Sequence, residues 1–215
     1  MHTGAVSSPP PLDATLAAPA GRRLPRRLTQ LYAGLALYGF SIALLVQADL
    51  GLMPWSVLDQ GISRSAGISL GTSTILVGAV VLLAWIPLRQ RPGVGTISNV
   101  VVIGLSLDAS LAVLPEVDGL PLRLGLLVAG VALNALATAA YIGVELGPGP
   151  RDGLMTGLVR RTSRSVRLVR TGIEVVVLVL GVVLGGTIGL GTLVYALAIG
   201  PLVQVLLPRV SVAKR

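Results

Sequence analysis

The 215-residue chain has no cysteine, and its one histidine, His2, stands next to the initiating methionine. That excludes disulfide frameworks, zinc sites with thiolate or imidazole ligands, and Cys-His or Ser-His nucleophilic chemistry. Aromatic residues make up 3% of the chain, with a single phenylalanine, which leaves little for stacking on bases. Charged residues are equally scarce, at 12% against roughly 25% in soluble domains. What fills the chain instead is apolar: 53% hydrophobic residues, together with 27 glycines and 14 prolines. Such a composition describes a membrane protein rather than a water-facing globule. The 17 basic residues against nine acidic ones give a net charge of +8. In a membrane chain such an excess records topology, so no nucleic-acid partner is expected.

Residues 1–26 are rich in Ala, Pro, Ser and Thr and include the run Pro9-Pro10-Pro11, and the cluster Arg22, Arg23, Arg26 and Arg27 leads from them into the first apolar run. They are expected to form a disordered cytoplasmic tail, lacking the apolar core of a signal peptide. Six apolar runs follow, at 28–48, 70–88, 96–114, 122–144, 168–184 and 191–207, each near the ~20 residues that cross a bilayer. Two shorter segments, 54–65 and 150–161, begin with proline, suited to a first helical turn. They are expected to be short re-entrant or interfacial helices. With the N-terminus inside, all basic residues except Arg64 and Arg123 fall on the cytoplasmic side, so both termini are expected there. Residues 209–215 then form a short basic cytoplasmic tail.

Shifting the chain by 96 residues aligns 27–104 with 123–200 without a gap. Leu50-Gly51 and Pro54 match Leu146-Gly147 and Pro150, while Gly93, Gly95 and Thr96 match Gly189, Gly191 and Thr192. The expected fold is therefore all-α, with about six transmembrane helices as two units, 27–122 and 123–208. Three crossings per unit is an odd number, so the second copy enters the membrane from the opposite face, as in the inverted repeats of many transporters.

The stretch Gly147-Pro148-Gly149-Pro150-Arg151-Asp152-Gly153 combines a tight turn, a helix start and a cation. That is the chemistry of an anion or carboxylate corner, beside the plainer reading of a structural turn. Arg170 and Glu174 lie four apart in the fifth run, and Asp108 lies in the third; ionisable groups at such depth are expensive and often functional. Arg151, Asp152, Arg170, Glu174 and Asp108 are the candidate substrate-binding residues. Pairing of Arg151 with Glu174, or of Arg170 with Asp152, is expected to tie the short helix to the fifth span. Gly51, Pro54, Trp55, Gly95, Thr96, Gly147, Pro150, Gly191 and Thr192 are structural motif positions, Trp55 being read as an interface anchor.

The set comprising Asp49-Leu50-Gly51-Leu52-Met53-Pro54-Trp55, Gly93-Val94-Gly95-Thr96 and Leu146-Gly147-Pro148-Gly149-Pro150-Arg151-Asp152 resembles the YczE/YitT-type bacterial integral membrane proteins, closest to the YczE branch. The resemblance implies a small polytopic protein of the bacterial cytoplasmic membrane. Some members of that family are linked to secretion or production of lipopeptide-type and polyketide-type antibiotics. The residues themselves hold no P-loop, no Gly-x-Ser-x-Gly elbow and no His-Glu-x-x-His, so neither enzymatic activity nor a cofactor or metal is expected. Two functions fit: a small permease or exporter with its site between the repeats, or a non-transporting scaffold for a secretion or biosynthetic machine. The partners in view are membrane lipid, an anionic or amphipathic small molecule, and a second copy or an accessory-complex protein.

Overall fold

The computed structural model describes residues 20–212, and the side chains from Leu24 onward. Among the described residues are eight α-helices and no strand: α1 (Ala20–Ala48), α2 (Pro54–Ala66), α3 (Leu70–Trp85), α4 (Val94–Val113), α5 (Leu120–Ile142), α6 (Pro150–Thr162), α7 (Val166–Val183) and α8 (Leu190–Val210). Most of the expected N-terminal tail lies outside the described residues, as do 213–215. Helix α1 nevertheless begins at Ala20, so residues 20–26 are helical rather than tail. Arginine is a good helix former, and Pro25 is accommodated near the helix start. The C-terminal segment is also tied down, because the Val212 N–H donates to the Gly143 carbonyl and the Val212 side chain is buried.

Four helices, α1 from Leu24 onward, α4, α5 and α8, are long and apolar enough to cross a bilayer. The expected count of six is not reached on those criteria. Helix α3 has only 16 residues. Helix α7 carries Arg167, Arg170 and Glu174 within its 18. Helices α2 and α3 are bent 114° apart across a short break, and together form a fifth candidate crossing.

The backbone keeps the 96-residue period. Left-handed φ angles recur at Asp49 (48°) and Glu145 (51°), Gly51 (102°) and Gly147 (129°), Gly67 (66°) and Ser163 (54°), and Arg89 (52°) and Gly185 (91°). The aspartate and glutamate accept a conformation that L-residues avoid at a cost of ~1–2 kcal/mol, each immediately before a turn closed by glycine. Helices α3 and α7 both start at a serine, Ser69 or Ser165, whose hydroxyl accepts from the N–H three residues on.

Contacts recur too, with roles exchanged. The Gly95 N–H donates to the Leu146 carbonyl at 2.9 Å, and the Gly191 N–H to the Leu50 carbonyl at 2.7 Å. Thr96 and Thr192 accept from the N–H groups of Gly93 and Gly189, so each closes the first turn of its helix. At the centre α1 and α5 run antiparallel. Arg27 reaches the Val144 carbonyl at one end, Asn134 meets Ser41 in the middle, and Arg123 meets Asp49 at the other end. Leu31, Leu35, Ile42 and Leu45 of α1 pack with Leu127 and Val131 of α5 and Ile103 and Leu107 of α4 to make the main core. Helix α4 lies along α1 and α8 along α5, while α2 crosses α7 and α3 crosses α6.

Candidate functional site

The site is built where the first turns of α2 and α6 approach each other. Trp55 and Arg151 occupy equivalent positions, and the Arg151 guanidinium sits 4.7 Å from the centre of the Trp55 ring. Two residues 96 positions apart in the sequence thus contact each other directly. Stacking on an indole face holds the cation while leaving its N–H edge free. Arg151 Nη2 then donates to Asp59 Oδ2 at 3.4 Å, joining the two short helices through a side chain 29% exposed and a carboxylate 1% exposed.

Asp59 has few partners for so buried an acid. Thr74 Oγ1 of α3 lies 3.1 Å from its Oδ2, and Ser73 donates to its backbone carbonyl. Its Oδ1 has no partner, nor does the buried Ser56 hydroxyl three residues earlier on α2. A carboxylate withdrawn from water without full hydrogen bonding is costly, and losing its cation would cost several kcal/mol more. The arrangement is therefore held, not relaxed.

Asp152, the next residue along α6, faces another way. Tyr141 of α5 donates to its Oδ2 at 3.2 Å, and the Tyr141 ring meets Tyr38 of α1 edge-on at 6.2 Å. Below this pair opens a cleft of about 410 Å³ lined by Ile142, Glu145, Gly147, Pro148 and Asp152. A further chain of polar groups runs from Tyr195 of α8, through Asn134, to Ser41.

The structure thus brings Arg151 and Asp152 into one polar region, with Arg170 near enough for its charge to act on Asp152, and places Asp108 elsewhere. Neither expected cross-pair forms. Arg151 meets Asp59, because the two short helices face each other at their first turns. Arg170 meets Glu174 on its own helix at 3.5 Å, with side chains 60% and 35% exposed. Asp108 accepts from the Gly71 N–H and the Ser69 hydroxyl, so its carboxylate caps α3. Trp55 is no interface anchor; it is buried under Arg151. The glycines of the motif set make close approaches: a methyl on Gly51 or Gly191 would strike the backbone of Gly189 or Gly51 within 2.4 Å. Gly147 turns against Thr96, whose hydroxyl donates to the Pro148 carbonyl. Pro150 receives the Trp85 indole N–H on its carbonyl, and Pro54 is buried at the start of α2.

Sequence reasoning missed Asp59. The available signal was that Asp59 is the single acid of one short helix, while the matching helix opens with an arginine.

Residues 25–208 match a family described as a family of unknown function, DUF6198. The chain belongs to that family. Its relatives include a Haemophilus influenzae protein 38% identical over 83% of this chain and 82% of its own length. A Bacillus subtilis relative named as the membrane protein YczE is 30% identical over 85% of this chain and 86% of its own. Another B. subtilis relative, YyaS, is 28% identical over 83% of this chain and 90% of its own. No solved structure matches the chain. Kinship with a membrane protein and the long apolar helices make this an integral membrane protein.

Proposed function

We propose that the protein is a small secondary permease or exporter of the bacterial cytoplasmic membrane, taking an anionic or amphipathic solute between two inverted three-span units. In this reading α1, α3, α4, α5, α7 and α8 cross the bilayer, and α2 and α6 are re-entrant helices whose first turns meet inside it. Both termini are cytoplasmic. The antiparallel α1–α5 pair and the reciprocal contacts 96 residues apart support that plan. No catalytic step and no cofactor belongs to it.

The observation that carries the proposal is Arg151. It is fixed on Trp55 at the boundary between the units and makes one long hydrogen bond to protein. A guanidinium has five N–H donors in a planar fork matched to carboxylate or phosphate, so most of its capacity remains for a solute. Substrate sites of repeat-built transporters lie at such interfaces near the bilayer midplane.

Purified protein in proteoliposomes, offered a panel of labelled carboxylates and phosphates including octanoate, is expected to accumulate at least one. Arg151→Gln should abolish uptake while the variant remains monodisperse. Protein of verified orientation that moves none of the panel would overturn the reading in favour of a scaffold, with the uncovered apolar residues of α7 and α8 as its docking face. Orientation is checked by cysteine labelling. Asp118→Cys and Leu190→Cys should react from outside, and Arg89→Cys and Arg164→Cys only after permeabilisation.

A further inference from the structure

We infer that Asp59 binds a proton whenever a solute anion takes Arg151, so that one proton and one negative charge load the site together. The inference rests on the permease reading and adds its coupling ion. It starts from the hydroxyl of Thr74, which lies 3.0 Å from the Leu70 carbonyl oxygen and 3.1 Å from Asp59 Oδ2. A hydroxyl carries one proton and can donate to only one of these acceptors.

Two arrangements satisfy the group, and they differ by one proton. In the first, Asp59 is ionised, Thr74 donates to Oδ2, and Arg151 supplies the counter-charge. In the second, Asp59 carries a proton on Oδ2 and donates it to Thr74 Oγ1, and Thr74 donates to the Leu70 carbonyl. Arg151 then has no claim on Asp59 and is free to turn its fork to a solute. Protonation converts the carboxylate to a neutral carboxyl by forming one O–H bond, while Arg151 keeps its charge throughout. Before loading, Asp59 and Arg151 sum to zero; after loading, the neutral carboxyl, the guanidinium and a monovalent anion also sum to zero. The exchange therefore leaves the net charge of the site as it was, which is the condition burial imposes.

Two acids sense the Arg151 charge, Asp59 and Asp152, and only Asp59 is bonded to it directly. Helix α3 presents Ser73 and Thr74 to Asp59, neither ionisable near neutrality. Helix α6 presents Arg151, and the neighbouring Asp152 is engaged by Tyr141. On α7, packed across α2, Arg170 and Glu174 pair with each other and Arg167 is exposed. Removal of Arg151 by an anion therefore leaves Asp59 with a proton as its nearest means of compensation.

The test measures anion binding and proton uptake on purified full-length protein in detergent, with octanoate and benzoate, both monovalent across the pH range used, as probes. Wild type is expected to take up one proton per anion bound, and its affinity should fall about tenfold per pH unit at alkaline pH, the slope of a single linked proton. Asp59→Asn mimics the neutral carboxyl; it should bind the same anion with no proton uptake and no such slope. Anion binding by wild type without proton uptake would overturn this inference alone. Absence of any anion binding by wild type would overturn it together with the permease reading. A second measurement does not need an anion. In Arg151→Gln the counter-charge is gone, so Asp59 should be protonated at neutral pH and give an infrared carboxyl carbonyl band lost in Arg151→Gln/Asp59→Asn. A spectrum without that band would also overturn the inference.

Discussion

Helix α3 lies against α4, but α7 stands off α8, although the two pairs occupy equivalent places in the repeat. The difference is written in a few side chains. In the first unit Gly71 and Gly104 bring backbone onto backbone: a methyl on Gly71 would lie 2.1 Å from the Gly104 carbonyl oxygen. Asp108 then caps α3 from α4, and Gly78 leaves room for Val100. The matching positions in the second unit are Arg167 for Gly71, Gln204 for Asp108 and Glu174 for Gly78. Small residues let membrane helices approach closely, and bulky charged ones prevent it. Gly200 survives opposite Arg167, yet a methyl there would meet nothing within 4 Å. A repeat thus preserves where helices begin and turn. Whether a pair of helices closes is decided by the residues at one crossing.

The largest expected effect separates those two glycines. Gly104→Leu drives a side chain into the Gly71 carbonyl and the Ile75 side chain, both 2.5 Å from the first added carbon. The cost should exceed the ~1–3 kcal/mol of ordinary overpacking, seen as loss of folded protein in detergent. Gly200→Leu should leave yield and melting temperature within error. Equal loss in both variants would mean that α7 and α8 close on each other in the folded protein, and the contrast would fail.

A second contrast concerns how the short helices are sealed. The Trp85 indole at the end of α3 fills the notch over Gly153 of α6, 1.9 Å from where a methyl would stand, and donates to the Pro150 carbonyl. At the equivalent crossing of α7 on α2 the residue is Gly181, and backbone approaches Leu58 directly. Trp85→Ala should therefore open a cavity costing about 3–5 kcal/mol. Gly181→Ala should cost about 1–3 kcal/mol by the opposite route, intrusion rather than void. Reversible unfolding in mixed detergent measures both. A xenon- or benzene-induced gain of stability in Trp85→Ala, absent from Gly181→Ala, would separate void from intrusion.

What could be read in advance follows the same division. The short helices expected at 54–65 and 150–161 differ from α2 and α6 by one residue at their ends, because proline marks each start and Gly67 or Ser163 each end in left-handed conformation. The turns at Gly51 and Gly147 were visible for the same local reason. The partner of Arg151 was not, because the approach of α2 to α6 is a tertiary fact that no periodicity within either helix records. The depth of Asp108 in α4 is legible in the sequence and points to a substrate role, whereas its nearness to the α3 N-terminus is not. Arg170 and Glu174 were expected to reach across to α6, but neighbours four apart on one helix meet first.

The smallest contrast lies at the centre, where the repeat places Tyr38 on α1 and Asn134 on α5. Asn134 is fully buried and serves two helices at once: its amide N–H donates to Ser41 on α1, and its carbonyl accepts from Tyr195 on α8. The Tyr38 hydroxyl has a weak acceptor in the Met53 sulfur at 4.0 Å and lies near the Tyr195 hydroxyl, which is already committed to Asn134. Asn134→Ala should cost roughly 0.6–1.7 kcal/mol, the range for hydrogen bonds between membrane helices. Part of that cost is the Tyr195 hydroxyl left alone, so Asn134→Ala/Tyr195→Phe should recover some of it, as removing both members of a pair does. Tyr38→Phe should change stability by a few tenths of a kcal/mol at most. The ordering is checked by unfolding midpoints of the three variants and the wild type in one detergent. If Tyr38→Phe cost as much as Asn134→Ala, the two equivalent positions would carry equal weight. The polar link to α8 would then not be what holds the open side of the second unit in place.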